Sequence, residues 1–428
     1  MNNMKAYIKG GQVPNGEVTV SGAKNSATRL LAASLISDEI IIIENFPTEL
    51  VDAKYKIDFI RQCGGNVEVD NINETLHINS SGIQEKILTN YNYPIRTTYL
   101  LTAGLIKKNG IARIPYPGGC KIGNRGYDLH IEVWKSLGAS VKEKKDYIEI
   151  EARNGFKSGN INFPITTIGG TENALICAAT INGKTTIKNA YISPEVNDLI
   201  KFLRTLGVKI NVVGNSFIEI IGKEYLQGSV YRVMPDRIEA LTWIIYGVLS
   251  KGNIIINDVP FETMQIPLIH LKEAGIEFFK NNNSVYITPD CLVNGVIQPF
   301  EIATGTHPGI ISDMQSFYVL LGLYADGISR VYDYRYPERI KYCAELDKLF
   351  NNQLKWGKGN ITTYGKKDAK PIGTTVQSTD LRGSMALVIG ALLSEGSSEI
   401  LNVEMALRGY NKLEEKLNLL GIKIKIQN

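Results

Sequence analysis

The chain has 428 residues, 44% of them hydrophobic, which is enough for two domains or more with substantial buried cores. Its 47 Lys and Arg against 43 Asp and Glu leave a formal charge of +4, too mild for a nucleic-acid binder. No apolar run reaches membrane-spanning length, and Met1–Gly10 lacks the apolar stretch of a secretory signal, so the expectation is a cytoplasmic protein without a membrane partner. Cys63, Cys120, Cys177, Cys291 and Cys343 are scattered and odd in number, which reads as free thiols in a reducing compartment. His77, His130, His270 and His307 are scattered too, and no pair has metal-ligand spacing, so a zinc site is not expected.

In chain order, the first polar cluster is Ser21-Gly22-Ala23-Lys24-Asn25-Ser26-Ala27, which leads into an Ala- and Leu-rich helix around Leu30–Leu35. Small residues at a helix N-terminus suit an anion, and Lys24 adds charge; a solvated lysine is the other reading. The helix runs into the strand Ile40–Ile43. A second pattern follows, a short amphipathic helix that ends in glycine and enters a strand: Ile60-Arg61-Gln62-Cys63-Gly64-Gly65-Asn66-Val67. Arg96 opens the next apolar helix, over Tyr99–Leu105, which leads to the strand Ile111–Ile114. A cation at a helix N-terminus opposes the macrodipole, so Arg96 suits a ligand better than the helix.

Pro117-Gly118-Gly119-Cys120-Lys121-Ile122-Gly123-Asn124-Arg125 is a Gly-rich loop with one cysteine, a lysine beside it and an arginine five residues on. Nearby positive charge favours the reactive thiolate, and glycines let a backbone approach a ligand. The loop is either a reactive thiol beside an anion or a turn with an incidental cysteine. Beyond it the helix–glycine–strand pattern returns at Trp134–Val141, Leu203–Ile210, Leu271–Phe278 and Leu417–Ile424, with a degenerate copy near Leu349–Leu354. In the clear copies the glycine is where a helix would stop in a left-handed conformation.

Apolar helices alternate with these copies, from Ala174 into Gly183–Ile187, from Leu241 to Asp258, from Phe317 to Tyr332 and from Met385 to Val403. Together they make six α/β units of about 70 residues each, longer than solenoid repeats. Six units divide three and three, with a short structured hinge near residue 234. The helices of the last three units open on Asp236-Arg237-Ile238-Glu239, Ser312-Asp313-Met314-Gln315 and Thr379-Asp380-Leu381-Arg382-Gly383. A lone Asp there is read as a helix cap. A carboxylate paired with a guanidinium, as in Asp236/Arg237 and Asp380/Arg382, suits a charged ligand. Arg408-Gly409-Tyr410 precedes the last helix.

These motifs carry a resemblance that spans nearly the whole chain. Ser21–Asn25, Pro117–Cys120 with Ile122, Gly123 and Arg125, Asp128-Leu129-His130, Gly169 with Thr171-Glu172-Asn173, Tyr231–Val233, Pro235–Glu239, Asp313–Gln315, Thr379–Arg382 and Arg408–Tyr410 resemble the enolpyruvyl transferase family. Within it, the cysteine loop is similar to the UDP-N-acetylglucosamine 1-carboxyvinyltransferase branch. The resemblance implies a two-domain inside-out α/β barrel of six βαβαββ repeats, three per domain. The domains would be residues 24–234 and, discontinuously, 1–23 plus 235–428.

It also implies transfer of enolpyruvate from phosphoenolpyruvate to a UDP-sugar, with phosphate released and no cofactor. Lys24, Asn25, Arg125 and Arg408 match phosphoenolpyruvate positions, Asn25 also a sugar contact. Cys120 matches the thiol that acts as general acid and adds covalently to phosphoenolpyruvate; fosfomycin, an epoxide mimic, would alkylate it. Asp313 matches the general base at the acceptor hydroxyl. Arg96, Arg125, Gly126, Tyr127, Asp128, Leu129, Ile165, Thr166, Thr167, Ile168 and Val331 match nucleotide and diphosphate contacts, with Asp128 and Leu129 beside the uracil. Asp380 and Arg382 match residues lining the interdomain cleft.

The chain departs from the family pattern at Ile192-Ser193-Pro194-Glu195 (usually Arg-Glu-Pro-Glu), at Asp333-Tyr334-Arg335-Tyr336 (usually Glu-Asn-Arg-Phe) and around Arg408 (Met405, Leu407 and Asn411). Most of these positions flank the acceptor side. That leaves open a paralogue that uses another nucleotide such as UMP, and a non-catalytic nucleotide-binding relative.

Overall fold

The computed structural model describes residues 4–84, 96–116, 118 and 126–427. Cys120 and Arg125 lie outside the described residues. The chain folds as two compact units, residues 4–21 with 235–427 and the described part of 22–234.

One copy of the repeat shows how each unit is built. Strand Asn160–Thr167 leads into a buried inner helix, Ile168–Ala179, and then strand Lys184–Ala190. The two strands pair in parallel, as a helical crossover allows. An outer helix, Pro194–Thr205, leads to the antiparallel pair Lys209–Val213 and Phe217–Ile221, which completes a four-stranded sheet. This βαβαββ plan accounts for six small sheets, three in each unit; one has three strands among the described residues and the others four.

The inner helices are apolar on every side, and a helix of that kind belongs in a core. Every residue of Arg237–Leu249 and of Gln315–Leu323 is buried. Fully burying a large apolar side chain contributes roughly 1.5–3 kcal/mol. The outer helices are amphipathic: Pro194–Thr205 buries Leu199, Ile200, Phe202 and Leu203 and leaves Asn197 and Lys201 exposed.

Three strands reach their sheets from far along the chain. Ser229–Arg232 pairs in parallel with Ile41–Glu44, and Asn15–Thr19 with Asn253–Asn257. Lys5–Lys9 lies between Ser397–Leu401 and Ile424–Gln427. Residues 4–21 therefore supply strands to the 235–427 unit. A clasp on Glu239 fixes the end of that segment: its Oε2 accepts from the Ser21 backbone N–H (3.1 Å), and its Oε1 accepts from Lys416 (2.5 Å) and from Trp243 Nε1 (2.9 Å).

The repeat glycines Gly64, Gly138, Gly207, Gly275 and Gly421 all take positive φ, between 74° and 93°, so the helix stops read from the sequence are real. The degenerate copy has a substitute. Helix Lys341–Phe350 ends on Asn351 at φ 54°, followed by Asn352 at 64°. Asparagine tolerates this left-handed region better than other residues with a Cβ. Asn351→Ala is expected to destabilise the protein by about 1 kcal/mol, and Asn351→Gly to be neutral or mildly stabilising. Urea denaturation of the two variants checks this.

Candidate active site

In the 22–234 unit, the described sequence-predicted ligand residues lie at strand and helix ends. Inner helix Lys24–Ala33 opens on Ala23, with no side-chain cap. Lys24 is half-buried, and its Nζ lies 3.0 Å from Asp52 Oδ2 on the outer helix Val51–Gln62. Asn25 beside it is half-buried as well. One turn further on, Arg29 Nε donates to Glu172 Oε1 on inner helix Ile168–Ala179 at 3.0 Å. Lys56 is fully buried and donates to the Thr28 carbonyl at 2.6 Å. Burial, reinforced by the Arg29 charge, pushes its ammonium well below the usual lysine range.

Arg96 stands just before the helical turn Thr97–Leu101 and donates from Nη2 to the Gly126 carbonyl at 2.6 Å. The cation read as out of place at a helix start is thus engaged with the segment that begins helix Asp128–Ser136. His130 on that helix is buried, its ring 3.6 Å from that of Tyr99. Burial, with the Arg96 charge second, lowers its pKa to about 3, so it is neutral. A Cβ on Gly169 would meet the His130 ring at 3.2 Å, so this glycine lets helix Ile168–Ala179 pack closely on it. Gly126 and Asp128 are exposed, and Tyr127 and Leu129 half-buried. Ile165 is exposed, and Thr166 and Ile168 are half-buried. Thr167 caps the inner helix, its hydroxyl accepting the Gly170 N–H at 3.2 Å.

The 235–427 unit holds a second cluster, built from carboxylates and arginines. Asp236 caps helix Arg237–Leu249, and Asp380 caps Leu381–Leu393 by accepting from the N–H groups of Arg382 and Gly383 at 3.2 Å. Both are caps and ion-pair partners at once. Arg382 Nη2 lies 3.9 Å from Asp236 Oδ2, and its Nε lies 3.6 Å from Asp313 Oδ2. Its guanidinium also sits 5.3 Å from the centre of the Tyr410 ring. Arg339 Nη1 donates to Asp313 Oδ1 at 2.7 Å, and its Nη2 to Asp380 Oδ1 at 3.3 Å.

Three carboxylates therefore share two buried guanidiniums. Asp236 and Asp380 are buried, whereas the Asp313 side chain keeps 28% exposure. Of the three, Asp313 is the carboxylate that stays partly open to solvent. Burial opposes the Arg339 charge, but Asp313 and Asp380 outweigh it and hold the guanidinium protonated. The Nε and Nη2 of Arg382 have no hydrogen-bond partner among the described residues, because its ion-pair separations exceed hydrogen-bond length.

Arg339 was not singled out from the sequence. It follows Asp333–Tyr336, and only the pairing across the fold gives it meaning. Val331 is placed differently from the exposed nucleotide-contact positions: its side chain is fully buried in the core of the 235–427 unit. Arg408 is buried, with Met405 Sδ 4.0 Å from its Nη1. Ser193, a departure from the family pattern, caps helix Pro194–Thr205 by accepting the Val196 N–H at 3.2 Å. Leu407 packs on the core, and the exposed Tyr334 stacks on Tyr332 at 6.0 Å.

Cys177, Cys291 and Cys343 are buried free thiols, and Cys63 is buried too. Burial raises Cys291 to about 11 and pushes Cys177 and Cys343 higher still, so all three are inert. Among the described residues no group of three or more His, Cys, Asp and Glu could hold a metal ion. No described helix is long and apolar enough to cross a membrane.

Comparison with known proteins agrees with this architecture. The family model for EPSP synthase (3-phosphoshikimate 1-carboxyvinyltransferase) matches residues 8–417. The chain is 34% identical over 424 residues to the UDP-N-acetylglucosamine 1-carboxyvinyltransferase of Nitratiruptor sp., covering 98% of each chain. It is 32% identical over 428 residues to the enzyme of that name from Novosphingobium aromaticivorans, again covering 98% of each. Among solved structures, the enolpyruvyl transferase NikO from Streptomyces tendae shares the fold, with TM-score 0.88, 24% identity and 99% of each chain covered. The fold is that of the enolpyruvyl transferases. The chain belongs to the EPSP synthase family, and its full-length relatives named here are UDP-N-acetylglucosamine 1-carboxyvinyltransferases.

Proposed function

We propose that this protein transfers the enolpyruvyl group of phosphoenolpyruvate to the 3'-hydroxyl of UDP-N-acetylglucosamine and releases phosphate, the first committed step of peptidoglycan synthesis, in the cytoplasm. The two compact units are its two enolpyruvyl transferase domains. The observation that carries the chemistry is Asp313, a partly exposed carboxylate held by two buried guanidiniums. It accepts the proton of the acceptor hydroxyl as that oxygen bonds to C2 of the enol. Cys120 delivers a proton to C3, which gives a tetrahedral ketal. Loss of a C3 proton then expels phosphate. Lys24, Arg125 and Arg408 neutralise the carboxylate and phosphate of phosphoenolpyruvate, and fixed charge and positioning carry the barrier. Arg96, residues 126–129 and residues 165–168 hold the nucleotide.

Two departures from the family pattern have local structural work, Ser193 as a helix cap and Leu407 as a core contact. Phosphate release is expected only when phosphoenolpyruvate and UDP-N-acetylglucosamine are both present. Turnover with UMP but not UDP-N-acetylglucosamine would replace the acceptor and keep the reaction. Ligand binding with no phosphate release from any acceptor would indicate a non-catalytic relative.

A further inference from the structure

One buried carboxylate near the arginine cluster takes no part in the chemistry proposed above. Asp333 ends strand Ile328–Asp333 and is 1% exposed. Four donors converge on it. Its Oδ1 accepts the backbone N–H groups of Arg335 (3.1 Å) and Tyr336 (2.9 Å). Its Oδ2 accepts from the Ser312 hydroxyl (2.5 Å) and from Gln315 Nε2 (3.2 Å). Gln315 is oriented in turn by the Tyr342 hydroxyl, which donates to its Oε1 at 2.9 Å.

The Ser312 hydroxyl is the telling group, because it has one proton and two neighbours. Arg339 Nη1 approaches it at 3.3 Å and can only donate. The hydroxyl must therefore accept from Arg339 and spend its proton on Asp333. The same Nη1 donates to Asp313 Oδ1 at 2.7 Å. We propose that Asp333 is a positioning residue for Asp313: through the Ser312 proton it fixes where the Arg339 fork meets the Asp313 carboxylate. This rests on Asp313 being the base of the proposed reaction.

The position demands a group that only accepts. Asparagine matches the shape of aspartate, but its NH2 would face the Ser312 and Gln315 donors. Relief would turn the Ser312 proton toward Arg339 and push the guanidinium off its site. Glutamate, the usual residue of the family pattern here, still only accepts.

Three full-length variants test this by steady-state phosphate release and by the rate of fosfomycin alkylation of Cys120, read by intact mass. Asp333→Asn is expected to lower kcat about 100-fold and Ser312→Ala about 10-fold, with KM for phosphoenolpyruvate and the alkylation rate unchanged. Asp333→Glu recovers most of kcat. Unchanged kcat in Asp333→Asn or in Ser312→Ala overturns the proposal. So does a parallel fall in kcat and alkylation, which signals general loss of structure. If Asp333→Asn fails to fold, Ser312→Ala decides alone. The outcome is separable from the base assignment: full activity of Asp313→Asn strikes that assignment, whereas an inactive Asp313→Asn beside a fully active Ser312→Ala strikes only the positioning role.

Discussion

Asp313→Asn is expected to lower kcat for phosphate release by about 10²- to 10⁴-fold, the usual contribution of a positioned general base. KM for phosphoenolpyruvate should stay within about threefold, because the lost interaction belongs to the transition state. The fold should survive. Arg339 keeps Asp380 at 3.3 Å, and Arg382 keeps Asp236 at 3.9 Å, so neither buried guanidinium is left without a carboxylate. The amide oxygen of asparagine can still accept from Arg339. An activity loss with near-normal thermal stability is therefore the expected signature. Asp313→Asn with wild-type kcat would move the base to another residue. The separation is possible because each arginine has a second, buried carboxylate besides Asp313.

Much of this organisation is legible in the sequence, because local rules govern it. Glycine stops, helix caps and apolar helices each leave a short-range signature, and six repetitions make the pattern unmistakable. Asp236 and Asp380 each stand close to an arginine and read as suited to a charged ligand; the fold makes both of them helix caps and pairs them with Arg382 and Arg339. Ser193 carried its own signal, a serine followed by proline at the first helical position, although it first reads as a broken motif. Long-range pairing is what the sequence hides. Ser229–Arg232 alternates like any strand, and nothing local says that its partner is Ile41–Glu44. Arg339 and Lys56 look like solvated cations until the fold buries them. Burial of a charge is decided by its partners, and these are distant in sequence: Asp313 and Asp380 for Arg339, and the Thr28 carbonyl for Lys56.

Arg29→Met is expected to destabilise the protein by about 3–5 kcal/mol at neutral pH, because it removes one partner of a buried ion pair. The Glu172 side chain is 1% exposed, and Arg29 donates to its Oε1 at 3.0 Å; among the described residues its Oε2 has no hydrogen-bond partner. Burial already raises the Glu172 carboxyl, against the pull of Arg29, and Glu195 adds to the rise. Without Arg29 it rises further. The native state then holds a proton that the unfolded chain releases at about pH 4.5, so the unfolded state binds fewer protons and stability falls as pH rises. The deficit should be small near pH 4 and grow toward neutrality. Lys56 tempers it, since loss of the neighbouring Arg29 charge lets its depressed ammonium ionise more readily beside Glu172. The double variant Arg29→Met/Glu172→Gln should recover part of the loss, because the buried carboxylate left without its guanidinium is gone. Urea denaturation from pH 4 to 8 reads all three effects. A deficit independent of pH would mean that Arg29 acts by packing alone.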